Sequence, residues 1–279
     1  MKHALTIDVE EFVHIHALSG VIQPKDWPAY PSSVSENTDI ILDLLDQRQI
    51  HATFFCLGIV ASQNRDLIKR IHAHGHEIAC HGYSHQVIYS QESGQFMDDV
   101  VRAKSTLEDI TGSMVIGYRA PTYSITKKTM WALDILQEAG FKYDSSIFPI
   151  MHDNYGIPDA PRFPYAVPGY RMVEFPISTV SIGSLNLPVS GGGYFRLLPY
   201  ILTYHGLRRI EKENRPFIFY IHPWEFNPDI ERIQGMSLLS RFRTYTGIKG
   251  TYDKFSRLIR DFSFSTVRDV LSETGLLTS

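Results

Sequence analysis

Glu77-Ile78-Ala79-Cys80-His81-Gly82-Tyr83-Ser84-His85 joins a short apolar run to two histidines four residues apart. The run reads as a buried strand. Histidines at this spacing, just past a strand end, point the same way from one turn of helix or a tight loop. Neutral imidazole is the commonest protein metal ligand. A catalytic zinc, however, usually takes three protein ligands and keeps one open position. The pair therefore needs a carboxylate and proton-transfer groups from elsewhere in the chain.

Outward from this stretch, 4–9, 52–57, 114–118, 141–143 and 216–221 also carry strand patterns, with shorter candidates at 172–175, 178–182 and 263–265. Helical spacing recurs over 36–48, 63–74, 94–111, 126–139, 199–213, 250–261 and 266–274. This alternation predicts a parallel sheet with helices outside, either open or closed into a barrel. Dense proline and the run Gly191-Gly192-Gly193 predict an irregular insertion of hairpins and loops over about 149–194. A helical extension is expected over about 226–279. Residues 1–279 together read as one domain.

Five of the six strong strand candidates carry an ionisable residue at or just after the C-terminal end. These are Asp8 and Glu10, His81 and His85, Arg119, Asp144, and His222. Taken singly, each has an ordinary explanation: Asp8 as a turn cap, Asp144-Ser145-Ser146 as a helix N-cap, Arg119 as a surface ion pair. In parallel α/β sheets and barrels, however, the C-terminal strand ends share one face, and chemistry is done there. Joint convergence on that face selects the catalytic reading.

The totals set limits. A chain of 279 residues, 43% hydrophobic, can bury the core of one large α/β domain. Net charge −3 and a pI of about 6.5, with no basic stripe among aromatics, argue against nucleic acid. Arg241, Arg243, Lys249, Lys254, Arg257 and Arg260 read as a solvated face rather than a membrane-surface patch. No apolar run approaches the ~18 residues that span a bilayer. The N-terminus enters a strand without a signal-peptide pattern, so a cytoplasmic location is expected. Cys56 and Cys80 read as buried free thiols. The glycine run lacks the Lys-Ser/Thr of a phosphate cradle. His14, His16, His72, His74 and His76 have no matching partners and read as structural or solvated. Trp224 and Glu225 either line the cleft or pack beneath it.

The residues resemble the polysaccharide deacetylases of the NodB-homology type, carbohydrate esterase family 4. Five motifs of that family occur in order, from residue 6 to residue 222: Thr6-Ile7-Asp8-Val9-Glu10, His81-Gly82-Tyr83-Ser84-His85, Arg119-Ala120-Pro121-Thr122-Tyr123, Asp144-Ser145-Ser146 and Tyr220-Ile221-His222. Gly191-Gly192-Gly193-Tyr194-Phe195-Arg196 and Ile221-His222-Pro223-Trp224-Glu225 are similar to a cytoplasmic branch often encoded with exopolysaccharide and exosortase systems. The resemblance implies a distorted (β/α) barrel of about seven strands.

It also implies roles. Val9 stands where the family usually has a second Asp and cannot bind metal, so Glu10 joins His81 and His85 as the ligand set. Two His and one carboxylate suit Zn²⁺, but also Fe²⁺, Co²⁺ or Mn²⁺. Asp8 is the implied general base, held bidentately by Arg119. His222 is the implied general acid, paired with Asp144. The backbone N–H of Tyr123 is expected to hold the oxyanion. The implied reaction is metal-dependent removal of an N-acetyl or similar acyl group from an amino sugar in a polysaccharide or glycolipid precursor. The implied partner is a carbohydrate, with no nucleic acid and no membrane-spanning segment. Alternatives are an allantoinase-like amidohydrolase acting on a small cyclic amide, and a sugar-binding protein without catalysis.

Overall fold

The computed structural model describes residues 1–152 and 155–277. Its strands are β1 (His3–Val9), β2 (Thr53–Cys56), β3 (Glu77–Cys80), β4 (Gly117–Tyr118), β5 (Tyr143–Asp144), β6 (Tyr165–Ala166), β7 (Val173–Glu174), β8 (Thr179–Ile182), β9 (Leu185–Pro188), β10 (Ile218–Ile221) and β11 (Phe264–Ser265). One parallel run follows the order β10-β1-β2-β3-β4-β5-β7. β6 adds antiparallel to β7, and β11 pairs with the first two residues of β1. The sheet curls into a half-barrel of the (β/α) type. Between its two sides runs irregular backbone: Phe175 N donates to Asp144 O at one end, and Tyr220 N donates to Ser190 O at the other.

Strand alternation sorts the side chains into two cores. Leu5, Ile7 and Val9 of β1, Phe54 and Cys56 of β2, Ile78 and Cys80 of β3, and Phe219 and Ile221 of β10 pack outward, with the helices. Phe55, Ala79, Tyr143, Val173, Ile218 and Tyr220 fill the interior. The interior is sealed at the N-terminal strand ends by Glu77. Its carboxylate accepts from Thr53 Oγ1 (2.6 Å), Tyr143 Oη (3.0 Å) and the amide of Arg268 (3.1 Å). The inward positions of β1 are Thr6 and Asp8, with Glu10 following in phase. That leaves the opposite, C-terminal end of the interior polar.

The helices are α1 (Val34–Asp46), α2 (Gly58–Gln63), α3 (Arg65–Ala73), α4 (Ser93–Thr111), α5 (Ala132–Glu138), α6 (Gly192–Leu197), α7 (Tyr200–Glu211), α8 (Leu238–Tyr245), α9 (Thr251–Asp261) and α10 (Val267–Glu273). The helix expected over 63–74 is α3; α2 precedes it, and the two meet at Asn64, a residue outside helical geometry (φ −128°, ψ 52°). The one over 126–139 starts only at Ala132. Upstream, Thr129 Oγ1 donates to Ser124 O and accepts from Thr126 N, a side-chain alternative to helical bonding. The strand expected over 114–118 pairs only at Gly117–Tyr118.

In the expected insertion β8 and β9 form an antiparallel hairpin. The glycine run opens α6 instead of forming a loop. The expected C-terminal extension is helical in α8, α9 and α10, but it also gives β11 to the sheet. Asp153, Asn154, Thr278 and Ser279 fall within those two ranges but outside the described residues. Among the described residues no helix is long and apolar enough to cross a membrane.

Candidate active site

The C-terminal strand ends deliver the expected side chains to one place. A pocket of about 150 Å³ is lined by Asp8, Glu10, Ile15, His16, His81, His85, Ala120, Thr122, Tyr123, His222 and Trp224. Glu10, His81 and His85 each present one ligand atom, and these atoms lie within 4.8 Å of one another. His85 Nε2 stands 2.8 Å from Glu10 Oε2. His81 directs Nδ1 at the carbonyl of Arg119 (2.8 Å), which leaves Nε2 for the pocket. Burial disfavours the charged ring and lowers the His81 pKa to about 4. Glu10 is pulled the other way: burial alone would raise its pKa, but the His85 imidazole holds it well below the usual carboxylate range. Trp224 Nε1 donates to Glu10 Oε1 at 3.1 Å.

Asp8 lies beside this trio. Arg119 Nη1 donates to Asp8 Oδ1 (2.6 Å) and to Thr6 Oγ1 (2.8 Å). The expected bidentate grip is thus corrected to a single bond, because the guanidinium divides its donors. Nε donates to Ser145 O (3.1 Å) and Nη2 to Ser145 Oγ (2.9 Å). The plane stacks over Phe55, with Cζ 4.1 Å from the ring centroid. A buried pair like this costs about 3–5 kcal/mol when one partner is removed, because the other charge is stranded.

His222 reaches the pocket with Nε2 at 3.8 Å from Glu10 Oε1 and 4.0 Å from Asp8 Oδ2. Its partner is a second correction. Asp144 does not pair with it. Asp144 accepts from Ser146 Oγ (2.5 Å) and sits opposite Glu174 across β5 and β7. Glu225 takes the expected place, with Oε2 3.4 Å from His222 Nδ1. Burial opposes the charged His222 ring, but Glu225, with Glu10 and Asp8 behind it, lifts its pKa to about 9. Glu225 is itself held by Arg196, whose Nε donates to Oε1 at 2.7 Å.

The backbone of Tyr123 gives a third correction: its N–H already donates to Ala120 O (3.0 Å) and is not free for an oxyanion. His85, Thr122 and Tyr123 all adopt left-handed backbone (φ 54°, 56° and 54°), and all three line the pocket. Such conformations cost roughly 1–3 kcal/mol each and gather at functional sites.

Sequence reasoning missed two contributors, His16 and Arg196, and left open the place of Trp224, which lines the pocket. His16 lines the pocket from the loop after β1. Trp224 and Arg196 support Glu10 and Glu225. The motifs containing Trp224, Glu225 and Arg196 were visible, but the pairings span 214 and 29 residues and have no local signature.

Residues 26–143 match the family model described as polysaccharide deacetylase. Over those residues the chain is similar to the polysaccharide deacetylase family. Residues 145–272 match a second model, a domain of unknown function (DUF3473). Over 115 residues the chain is 30% identical to a peptidoglycan deacetylase of Helicobacter pylori, covering 41% of this chain and 37% of that protein. Over 99 residues it is 29% identical to a chitooligosaccharide deacetylase of Bradyrhizobium, covering 36% of this chain and 43% of that protein. The chain thus spans less than half the length of either relative. Among solved structures, a Mycobacterium smegmatis protein provisionally named a polysaccharide deacetylase superposes with TM-score 0.60 at 18% identity, covering 100% of this chain and 93% of that one. A family pseudoenzyme from Bacillus anthracis gives TM-score 0.51 at 14% identity, over 97% and 65%. At these identities the structural likeness concerns the fold of this family alone.

Proposed function

We propose that the chain is a metal-dependent deacetylase that hydrolyses the N-acetyl, or a similar acyl, amide of an amino sugar in a polysaccharide or glycolipid precursor. The observation that carries this reading is the convergence of Glu10, His81 and His85 beside Asp8 and His222. The names of the peptidoglycan and chitooligosaccharide deacetylases support the substrate class.

A divalent ion fits the donor set. Two imidazoles and one carboxylate are a common catalytic zinc combination, and Fe²⁺, Co²⁺ and Mn²⁺ accept the same donors. Two of the three ligands are already aimed by a neighbour, His81 by Arg119 O and Glu10 by Trp224 Nε1. When bound, the ion supplies a lowered pKa for water and a polarised carbonyl.

The chain's own groups do the rest. Asp8 takes the proton of the attacking water through Oδ2, since Oδ1 is occupied by Arg119. Arg119 is a positioning residue that fixes the Asp8 carboxylate through its bond to Oδ1. His222, protonated at neutral pH, gives its proton to the leaving amine as the C–N bond breaks. Acetate and a free amino sugar result.

The test is acetate release from N-acetylglucosamine oligomers by the purified protein. Release should fall by about 10²–10⁴-fold in Asp8→Asn. It should vanish with a chelator and return with added metal. Full activity in Asp8→Asn would sink the reading.

A further inference from the structure

α8 is amphipathic the wrong way round for a core helix. Ser240 and Thr244 turn inward, and Thr244 is its only fully buried residue among those described. Leu238, Leu239 and Phe242 fall on the opposite arc at 3.6 residues per turn. They are 85%, 57% and 57% exposed. Arg241 flanks this ridge on one side and Arg243 on the other. A contiguous outward apolar ridge marks an interaction surface rather than a scatter of single exposed side chains.

Charge gives the ridge a direction. From Arg232 to Lys249 the sequence holds four cations (Arg232, Arg241, Arg243 and Lys249) and no Asp or Glu. All four are exposed, and none forms an ion pair among the described residues. The basic residues further along behave differently. Lys254 donates to the carbonyls of Phe195, Arg196 and Leu198, and Arg257 stacks on Tyr200. The α8 region thus combines cations outside any ion pair with exposed apolar side chains.

The ridge is also fixed to the site. Tyr245, at the end of α8, packs on Phe12, and Phe12 packs on Trp224, with ring centroids 5.8 Å apart in each case. Val21, 39% exposed, lies beside Gly235 and extends the apolar surface toward the loop that carries His16.

We propose that α8 is a membrane-surface docking element: Leu238, Leu239 and Phe242 insert at the headgroup boundary of an anionic bilayer while Arg232, Arg241, Arg243 and Lys249 meet the lipid phosphates. Helices of this kind lie in the interface plane, and the apolar and electrostatic contributions add. A second copy of the chain is a poorer occupant, because apposing the ridge with itself would bring four like charges against four.

The test is co-sedimentation of the full chain with two vesicle types, pure phosphatidylcholine and an equal mixture of phosphatidylcholine and phosphatidylglycerol. Partition onto the anionic vesicles should exceed that onto the neutral ones by about tenfold or more, and should weaken with salt. The triple variant Leu238→Ser/Leu239→Ser/Phe242→Ser should lose at least about tenfold in partition. Arg241→Gln/Arg243→Gln should lose the preference for anionic vesicles. Unchanged circular dichroism melts would show that both variants remain folded. The proposal is overturned if the parent chain stays in the supernatant with anionic vesicles, or if the serine variant binds as well as the parent. It is equally overturned if light scattering shows a parent dimer that the serine variant dissociates, which would make the ridge a protein–protein contact.

Discussion

Glu225 reaches His222 on one side and Arg196 on the other, and its side chain is fully buried. Arg196 in turn donates to the carbonyls of Arg243, Thr244 and Thr246. Arg196 fixes the carboxylate, which also accepts from the His222 amide (3.1 Å) and lies 3.4 Å from Nδ1, where it can orient the imidazole. Glu225→Gln keeps the shape and the bond to Arg196 but removes the charge. We expect kcat to fall about 10- to 100-fold with KM nearly unchanged, because orientation of the proton donor matters in the transition state. An unchanged kcat would return His222 to acting alone. The sequence could not rank Glu225 above Asp144. Both follow strand ends, and only the fold reveals that Asp144 faces Glu174. What the Asp144-Ser145-Ser146 motif does supply is a cradle: Ser145 accepts from Arg119, and Ser146 Oγ accepts from the amide of Ala120.

β5 and β7 are two residues long, and their register sets Asp144 directly opposite Glu174. Both carboxyls are fully buried. Burial raises both pKa values, that of Asp144 to about 6 and that of Glu174 well above the usual carboxylate range. A carboxyl with a raised folded pKa keeps its proton longer in the native state than in the unfolded chain. Below about pH 4 both states are protonated and the pair contributes no pH dependence. As pH rises through 4 to 6 and above, the unfolded chain ionises first and native stability falls, by about 1.4 kcal/mol per pKa unit. Glu174→Gln retains an acceptor for the amide of Ile147 and offers Asp144 a donor. Urea denaturation from pH 4 to 8 should therefore show a smaller loss of stability in the variant; parallel curves would refute the raised carboxyl pKa values as its cause. At this scale the sequence was legible where pattern and burial coincide. The strand at 77–80 is as expected, and Val9 is silent because alternation sends it into the outer core. It was illegible in β6, two residues that pair antiparallel with β7, and in α8, whose apolar side faces solvent.

The family models divide the chain between residues 143 and 145, but the fold does not. β1 pairs along Ala4–Ile7 with Ile218–Ile221 of β10, and at His3 and Ala4 with β11. The interior core joins Phe55, Ala79 and Tyr143 from the first part to Ile218, Tyr220, Val267 and Val270 from the second. Glu77 meets the first turn of α10 through the amide of Arg268. The proposed site crosses the same seam: Asp8, Glu10, His81, His85 and Arg119 come from one side, His222, Trp224 and Glu225 from the other. The order of strand ends along the sequence already implied one face built from both parts, because β/α alternation leaves few other topologies. A fragment of residues 1–144 would expose one edge of β1, strand out the buried Glu77 without its Arg268 partner, and open half of the interior core. It should therefore show no cooperative thermal transition by circular dichroism, whereas the full chain melts in a single step. A cooperative melt of the fragment would mean that the first part is a domain in its own right, and that the second part completes the site without being needed to fold it.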